Sequence, residues 1–373
     1  MTIKIALLSG AVKNAGDYLI VERSQCLLRH LLPQSEIQIF KRNSPLDSRI
    51  DEINMFDYIV FAGGPGYLPE MYPDQFPLVK DIGWLKPKMF ALGMGGFGKN
   101  RKVLPIVFSD RSRLLMDRFV QDGLRLGCRD DLTERILKKS GYHDTIMTGC
   151  PAWYDLDYID IAHVVNPVSV NEIKHIAISD PAYESSGDIA KKLVERICNT
   201  FKNARITFVY HRGRATNSDK FPKLAELQEW LRNQGIKIVS IPFSSEGLSI
   251  YDNCDLHIGF RVHAHIYSLS HRRASFLLEE DARGFGVNDS LGFKHFPSKG
   301  RFFLGDTITK TRCCIPSIRF PIYDHTVDSL LKYVVTEINA NYPITEHAFG
   351  VMRNKYRNMK DHIAGLAKDV LSF

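Results

Sequence analysis

Residues 255–265 read Asp255-Leu-His257-Ile-Gly259-Phe-Arg261-Val-His263-Ala-His265. A short, mostly apolar run with β character passes directly into helical spacing, which predicts a strand over Leu256–Phe260 feeding a helix over His263–Ser270. A strand that runs into a helix in this way is half of a β-α-β crossover, and crossovers build parallel sheets. Arg261 and His263 then sit at the amino end of the helix, where the backbone dipole favours negative charge. A cation there works against the helix, so a bound phosphate or carboxylate is the economical expectation. The competing reading is that Arg261 pairs with a protein carboxylate while His263 caps or packs.

Outward from this stretch the alternation continues. Strands are expected at His175–Ser179, Ile206–Tyr210, Lys237–Ile241 and Ser275–Leu278, with helices at Ile189–Phe201 and Lys223–Asn233 between them. The amino-terminal half shows the same pattern, with strands at Lys4–Leu8, Ile37–Phe40, Tyr58–Ala62, Met89–Leu92, Leu124–Cys128 and Thr145–Met147. Helices are expected there at Leu19–Leu32, which stops at Pro33, and at Leu132–Lys139, which stops at Ser140-Gly141. Periodicity dissolves between Trp153 and Lys174, and the tail offers helices over Val327–Ala340 and Glu346–Leu371. The expected architecture is therefore α/β and GT-B-like, with two Rossmann-like domains facing an interdomain cleft and C-terminal helices packing on both. The expected boundaries are 1–165 for the acceptor-side domain, 172–325 for the donor-side domain and 326–373 for the helices. Ligands in such sheets bind beyond the carboxyl ends of the strands, so site residues are sought in the loops that follow them.

The 373-residue chain is 44% apolar and 24% charged, a globular composition of about two domains' length. Its 49 Lys and Arg exceed its 42 Asp and Glu by seven, and nearly all of that surplus falls after residue 170. The basic residues form no long run or stripe, the densest clusters being Lys99, Arg101 and Lys102 and His271–Arg273. A small anionic substrate fits this distribution better than nucleic acid, and a weakly basic membrane-facing surface stays open as a peripheral contact.

Seven cysteines, an odd number with no C-x-x-C pair, read as reduced thiols of a cytoplasmic protein. Ile3–Leu8 is too short for a signal peptide and reads as a strand. No window reaches the roughly 18 apolar residues of a membrane-spanning helix, so any place at the inner face of the membrane would be peripheral. Neither composition nor spacing decides the oligomeric state.

The loops after the strands carry the chemistry. Gly10-Ala-Val-Lys-Asn14-Ala-Gly16-Asp17 opens the first helix. Asn14 and Asp17 are a turn with a cap or contacts for a sugar hydroxyl, and Gly16 allows close backbone approach. The stretch lacks the G-x-G-x-x-G spacing, and the second strand ends in Lys41-Arg42 rather than in an acid, which argues against a dinucleotide. Gly63-Gly64-Pro65-Gly66 puts backbone at the cleft. Cys128-Arg129-Asp130-Asp131 follows the fifth strand, where the acids read as caps and Arg129 as a cation that capping does not need. Cys150, after the sixth strand, reads as a buried thiol rather than a nucleophile. Glu279-Glu280-Asp281-Ala-Arg283-Gly284 follows the strand after Arg261 and offers carboxylates beside an arginine, or else a solvated loop. His257, His263 and His265 lack a fourth ligand and do not read as a metal site.

Taken in order, Asn14-x-Gly16-Asp17, the Gly63–Gly66 turn, Arg129-Asp130, Gly149-Cys-Pro151, Arg261-x-His263 and the 279–286 loop resemble the polysaccharide pyruvyl transferase family over roughly residues 5 to 295. The resemblance implies a GT-B-like transferase that moves the enolpyruvyl unit of phosphoenolpyruvate onto sugar hydroxyls. The product would be a pyruvyl ketal on a cell-surface polysaccharide or its precursor, made without metal or cofactor. It maps Arg261 and His263 onto the donor site. Arg283 stands where relatives often carry a lysine, which leaves binding intact but puts proton transfer from that position in doubt. The expected donor set is Arg129, Arg261, His263 and Arg283. The expected acceptor set is Asn14, Gly16, Asp17 and Gly64. His263 is the expected acid, and Asp17 or Glu279 orients or deprotonates the acceptor. The acceptor is a glycan or a lipid- or nucleotide-linked sugar. Two rivals are a GT-B glycosyltransferase using a nucleotide sugar and a non-catalytic glycan- or phosphate-binding protein. The first is disfavoured because the positions eight beyond Glu279 and Glu280 are Val287 and Asn288, not glutamates.

Overall fold

The computed structural model describes residues 2–96, 102–121, 123–213, 221–298 and 322–371. The first unit contains β1 (Ile3–Ser9), α1 (Ala15–Leu31), β2 (Ser35–Lys41), α2 (Ile50–Ile53), β3 (Tyr58–Ala62), β4 (Pro65–Tyr67), β5 (Lys88–Leu92), β6 (Gly95–Gly96), α3 (Asp110–Gln121), β7 (Leu126–Cys128), α4 (Asp131–Lys139) and β8 (Thr145–Met147). Its sheet is parallel in the order β2-β1-β3-β5, with Leu7 opposite Ile39 on one side and Val60 on the other. The parallel pair β7-β8 extends it through a bridge between Met94 and Cys128. All five residues of β3 are buried, as a central strand covered on both faces requires.

The second unit contains β9 (His175–Ser179), α5 (Gly187–Thr200), β10 (Arg205–Tyr210), α6 (Pro222–Asn233), β11 (Lys237–Ser240), β12 (Leu256–Gly259), α7 (Val262–Ser270), β13 (Ser275–Leu277) and α8 (Ala282–Leu291). Its sheet is parallel in the order β11-β10-β9-β12-β13. Two long helices follow, α9 (Ile322–Asn339) and α10 (Pro343–Leu371). α9 packs on α5, and α10 returns to the first unit. There His362 stacks on Phe90 at 4.2 Å between ring centroids, and the Tyr58 hydroxyl donates to the Leu366 carbonyl at 3.0 Å.

The expected strands and helices are present, with shifted ends. α1 begins at Ala15 rather than Leu19 because its first turn is buried against the second unit, where the Ala15 amide donates to the His211 carbonyl at 3.2 Å. α10 begins at Pro343 rather than Glu346, a position where proline's missing N–H costs nothing. β7 is shorter than Leu124–Cys128, and β2 is longer than Ile37–Phe40.

The segment joining the units is irregular but not loose. Trp153 is fully buried, and Arg272, also fully buried, donates to the carbonyls of Ile159 and Ile161 at 2.8 Å each. Leu7, Trp153, Ile178 and Leu366 belong to one continuous apolar cluster, so both sheets and the terminal helix share a core. A shared core of this kind holds the facing strand ends in fixed relation.

Candidate active site

Loops from the carboxyl ends of β1, β3, β7 and β8 face loops from β9, β10, β12 and β13 across one cleft. The cleft holds about 730 Å³ measured out to its open mouth. Of the residues expected from sequence, Asn14, Asp17, Gly64, Arg129, Arg261, His263 and Arg283 all line it. Gly16 lies directly behind the His263 ring, where any Cβ would overlap the imidazole.

Three of the cleft arginines are each held from behind by a carboxylate. Arg261 is the N-cap residue of α7, and its guanidinium forks onto Asp180 with Nε–Oδ1 2.7 Å and Nη2–Oδ2 2.5 Å. Its main chain is fixed as well, because Ser179 Oγ accepts the amides of Phe260 and Arg261 at 3.0 Å each. The cation at this helix start is thus offset by a protein carboxylate, and no bound anion is needed to explain it. Arg129 donates to Asp130 Oδ2 at 3.0 Å and to the Gly96 carbonyl at 2.9 Å. Arg283 holds Asp281 Oδ2 at 2.6 Å. Asp130 and Asp281 also cap α4 and α8, so one carboxylate fixes both a helix start and an arginine. Among the described residues, no hydrogen bond is made by Nη1 of Arg129 or Nη1 of Arg261. Arg129 and Arg261 are oriented in advance and each keeps a donor for an oxyanion.

His263 lies in the first turn of α7. Burial pushes its imidazole down to about 4, the Asp17 carboxylate works in the opposite direction, and Arg283, Arg129 and Arg261 add to the depression. At neutral pH it is a neutral imidazole surrounded by cations. A bound dianion would raise it and let it carry a proton.

The acidic loop is placed differently from the expectation. Glu279 is buried away from the cleft, where Oε1 accepts from Asn288 Nδ2 at 2.9 Å and lies 2.6 Å from His295 Nδ1. Glu280 and Asp281 line the cleft instead. The main chain at Glu279 still pairs in strand fashion with Pro297, so successive side chains point to opposite sides and the cleft-facing glutamate is the next one along. Burial pushes Glu280 up, and its carboxylate accepts the amides of Ala182 and Tyr183 at 2.7 and 3.2 Å. Glu280 therefore ties the 181–183 loop to the cleft wall.

The other expectations sort by their partners. His257 and His265 share Ser275 Oγ, at 2.7 and 2.8 Å from their Nδ1 atoms, and neither lines the cleft. Cys150 does line it, but burial pushes its thiol up, as expected of a non-nucleophile. Residues 99 and 101 of the basic cluster, Cys313 and Cys314 lie outside the described residues. No helix among the described residues is long and apolar enough to cross a membrane.

Two features escaped the sequence reading. Asp180 follows β9 and meets Arg261 only because β9 and β12 are neighbours in the sheet. Arg212, after β10, also lines the cleft, and burial followed by the nearby Arg261 charge lowers its pKa. Its position directly beyond a strand end was the available signal.

Two parallel sheets with facing carboxyl ends and an arginine-lined cleft between them define a GT-B-like fold. A family model described as polysaccharide pyruvyl transferase matches residues 14–281, and the chain belongs to that family. No curated protein matches the sequence significantly. Among solved structures, the chain is similar to Staphylococcus aureus MnaA with UDP, at 11% identity and TM-score 0.53, covering 96% of this chain and 95% of that one. It is also similar to a putative UDP-N-acetylglucosamine 2-epimerase from Listeria monocytogenes (9% identity, TM-score 0.55, 100% and 97% covered). The corresponding Neisseria meningitidis enzyme bound to UDP-GlcNAc gives 10% identity and TM-score 0.53, with both chains covered fully. At these identities the likeness is one of fold.

Proposed function

We propose that the protein transfers the enolpyruvyl unit of phosphoenolpyruvate to two hydroxyls of one sugar, forming a pyruvyl ketal on a polysaccharide or its precursor. The observation that carries this reading is the convergence of Arg129, Arg212, Arg261 and Arg283 with His263 and Asp17 in one cleft. Phosphoenolpyruvate places a phosphate and a carboxylate on a three-carbon frame, and a compact cluster of guanidinium groups suits both anions.

In this reading the donor's negative charge raises the depressed His263, which delivers a proton to the methylene carbon. The double-bond electrons form the new C–H bond, and C2 gains oxocarbenium character. A sugar hydroxyl attacks C2 as its proton passes to a base, and the C–O bond to phosphate breaks with the electron pair leaving on phosphate. A second hydroxyl closes the ketal and releases its proton, so one donor and one diol give one ketal and one inorganic phosphate. Asp17 suits the base role better than Glu280, whose carboxylate already accepts two backbone amides.

Calorimetry with phosphoenolpyruvate and with UDP-sugars, followed by mass measurement of glycan acceptors, tests the assignment. Phosphoenolpyruvate binding and a pyruvyl mass increment support it. UDP-sugar turnover without phosphoenolpyruvate binding would replace it with glycosyl transfer, and glycan binding without turnover with a binding protein.

A further inference from the structure

In the sequence Arg42 argues only against a dinucleotide, and the structure gives it a place of its own. Its amide donates to the Ser9 carbonyl at 2.9 Å, which ties the end of β2 to the end of β1. From there the guanidinium reaches into a slot between two glycines. A Cβ on Gly10 would stand 2.5 Å from Cζ and Nε, and one on Gly64 would stand 3.2 Å from Nη1. Gly64 and the next residue, Pro65, are themselves walls of the cleft. The two glycines leave room for this cation directly behind Gly64 and Pro65, the cleft wall on the side of the first sheet.

The slot holds a charge with little to balance it. Arg42 Nη1 has one long bond, 3.4 Å to the Pro65 carbonyl, and its Cζ lies 5.9 Å from the centre of the Phe76 ring. Among the described residues it forms no ion pair, unlike Arg129, Arg261 and Arg283, each of which has a carboxylate behind it. Burial lowers its pKa, and the field of Asp17 opposes that. A partly desolvated guanidinium without a counter-ion is costly, and an oxyanion brought by a ligand would remove that cost.

The three backed arginines cluster with His263, whereas Arg42 lies beside Gly64 and within the field of Asp17. We propose that Arg42 is a specificity-determining residue that selects an anionic acceptor, a sugar bearing a phosphate or carboxylate substituent. This deepens the pyruvyl-transfer reading and rests on it for which side of the cleft is the acceptor's.

Binding of glucose, glucose 1-phosphate, UDP-glucose and glucuronate, and of the matching galactose series, is measured by calorimetry on the wild-type protein, on Arg42→Gln and on Arg42→Lys. Each series is run with phosphoenolpyruvate absent and at saturation. The wild type should prefer the anionic members over the neutral hexose by about 10- to 100-fold with the donor present. Arg42→Gln should lose that preference, and Arg42→Lys should keep part of it. Phosphoenolpyruvate affinity should be the same in all three, which also reports that each is folded. The phosphate and uronate arms identify which substituent is taken. Equal binding of neutral and anionic sugars by the wild type, or a preference that survives in Arg42→Gln, would overturn the proposal. Failure of the wild type to bind phosphoenolpyruvate would instead sink the donor assignment and leave the sugar comparison standing as its own test of Arg42.

Discussion

Gly16 and His263 lie in the first turns of helices from the two different units, and the backbone of one is so close to the ring of the other that no β-carbon fits between them. The first turn of α1 is therefore the surface against which the imidazole is positioned. Gly16→Ala should push His263 out of place, lowering kcat by roughly 100-fold, the scale set by an ångström of misplacement at a reacting group. Because the overlap extends to the His263 β-carbon, rotating the ring cannot relieve it and the two helices must part, so Tm should fall as well. Steady-state kinetics beside thermal unfolding checks this, and an active Gly16→Ala would show that His263 needs no such seat.

The same imidazole gives a pH signature. Its value is depressed to about 4 from an ordinary 6.5, so between those limits the unfolded chain binds the proton more tightly than the folded one. The stabilising contribution is complete above about 6.5 and is lost as pH falls toward 4. His265 and His362, depressed to about 3 and about 4 by burial, add in the same direction. Denaturant unfolding between pH 4 and 7 should show stability rising with pH, with a shallower slope for His263→Phe. Ring NMR should find His263 titrating near 4 in the free protein and higher with phosphoenolpyruvate bound, since two negative groups would then face it. An unmoved resonance would remove His263 from the donor site.

Arg261 and Asp180 make a buried, forked pair at the corner of α7. Removing one partner leaves the other charge buried and unpaired, so Asp180→Asn should cost about 3–5 kcal/mol of stability. It should also weaken donor binding, because the guanidinium loses the group that aims it. Arg261→Lys should be milder in stability than Asp180→Asn yet still bind donor poorly, since an ammonium cannot replace a fork. Urea unfolding and donor titration of both variants separate the two effects.

The alternating strands and helices were legible because each apolar run of a parallel sheet is short, buried and closed by a turn or cap. Ser140-Gly141 ends α4 and Pro33 stands just beyond α1, as read. Most of the site was legible for a related reason: ligands in such sheets gather at strand ends, and Asn14, Asp17, Arg129 and Arg261 all follow strands. The Arg261–Asp180 pair was not, because it joins positions that only the sheet order brings together. The 279–280 assignment slipped by one residue because alternation near a strand end is set by a tertiary pairing, that of Glu279 with Pro297, which local pattern does not encode. Arg42 was visible but unassigned, since its role depends on two glycines, Gly10 and Gly64, that only the fold sets beside it.

Arg272 offers a test of how the two halves are held together, apart from any chemistry. Its guanidinium is buried beside Phe349, at 5.0 Å from the ring centre, and donates to three carbonyls, those of Ile159, Ile161 and Leu269. None of these partners lines the cleft. Arg272→Met would keep apolar bulk but leave buried carbonyls without a donor, at about 1–3 kcal/mol for each group that water cannot reach. Stability should therefore fall by about 3 kcal/mol or more. Donor affinity at a temperature where the variant is folded should be unchanged, because the cleft residues keep their own partners. Calorimetric unfolding and donor titration on one sample give both numbers. A stable variant with weakened donor binding would mean that the linker sets the cleft's shape rather than the fold's cohesion.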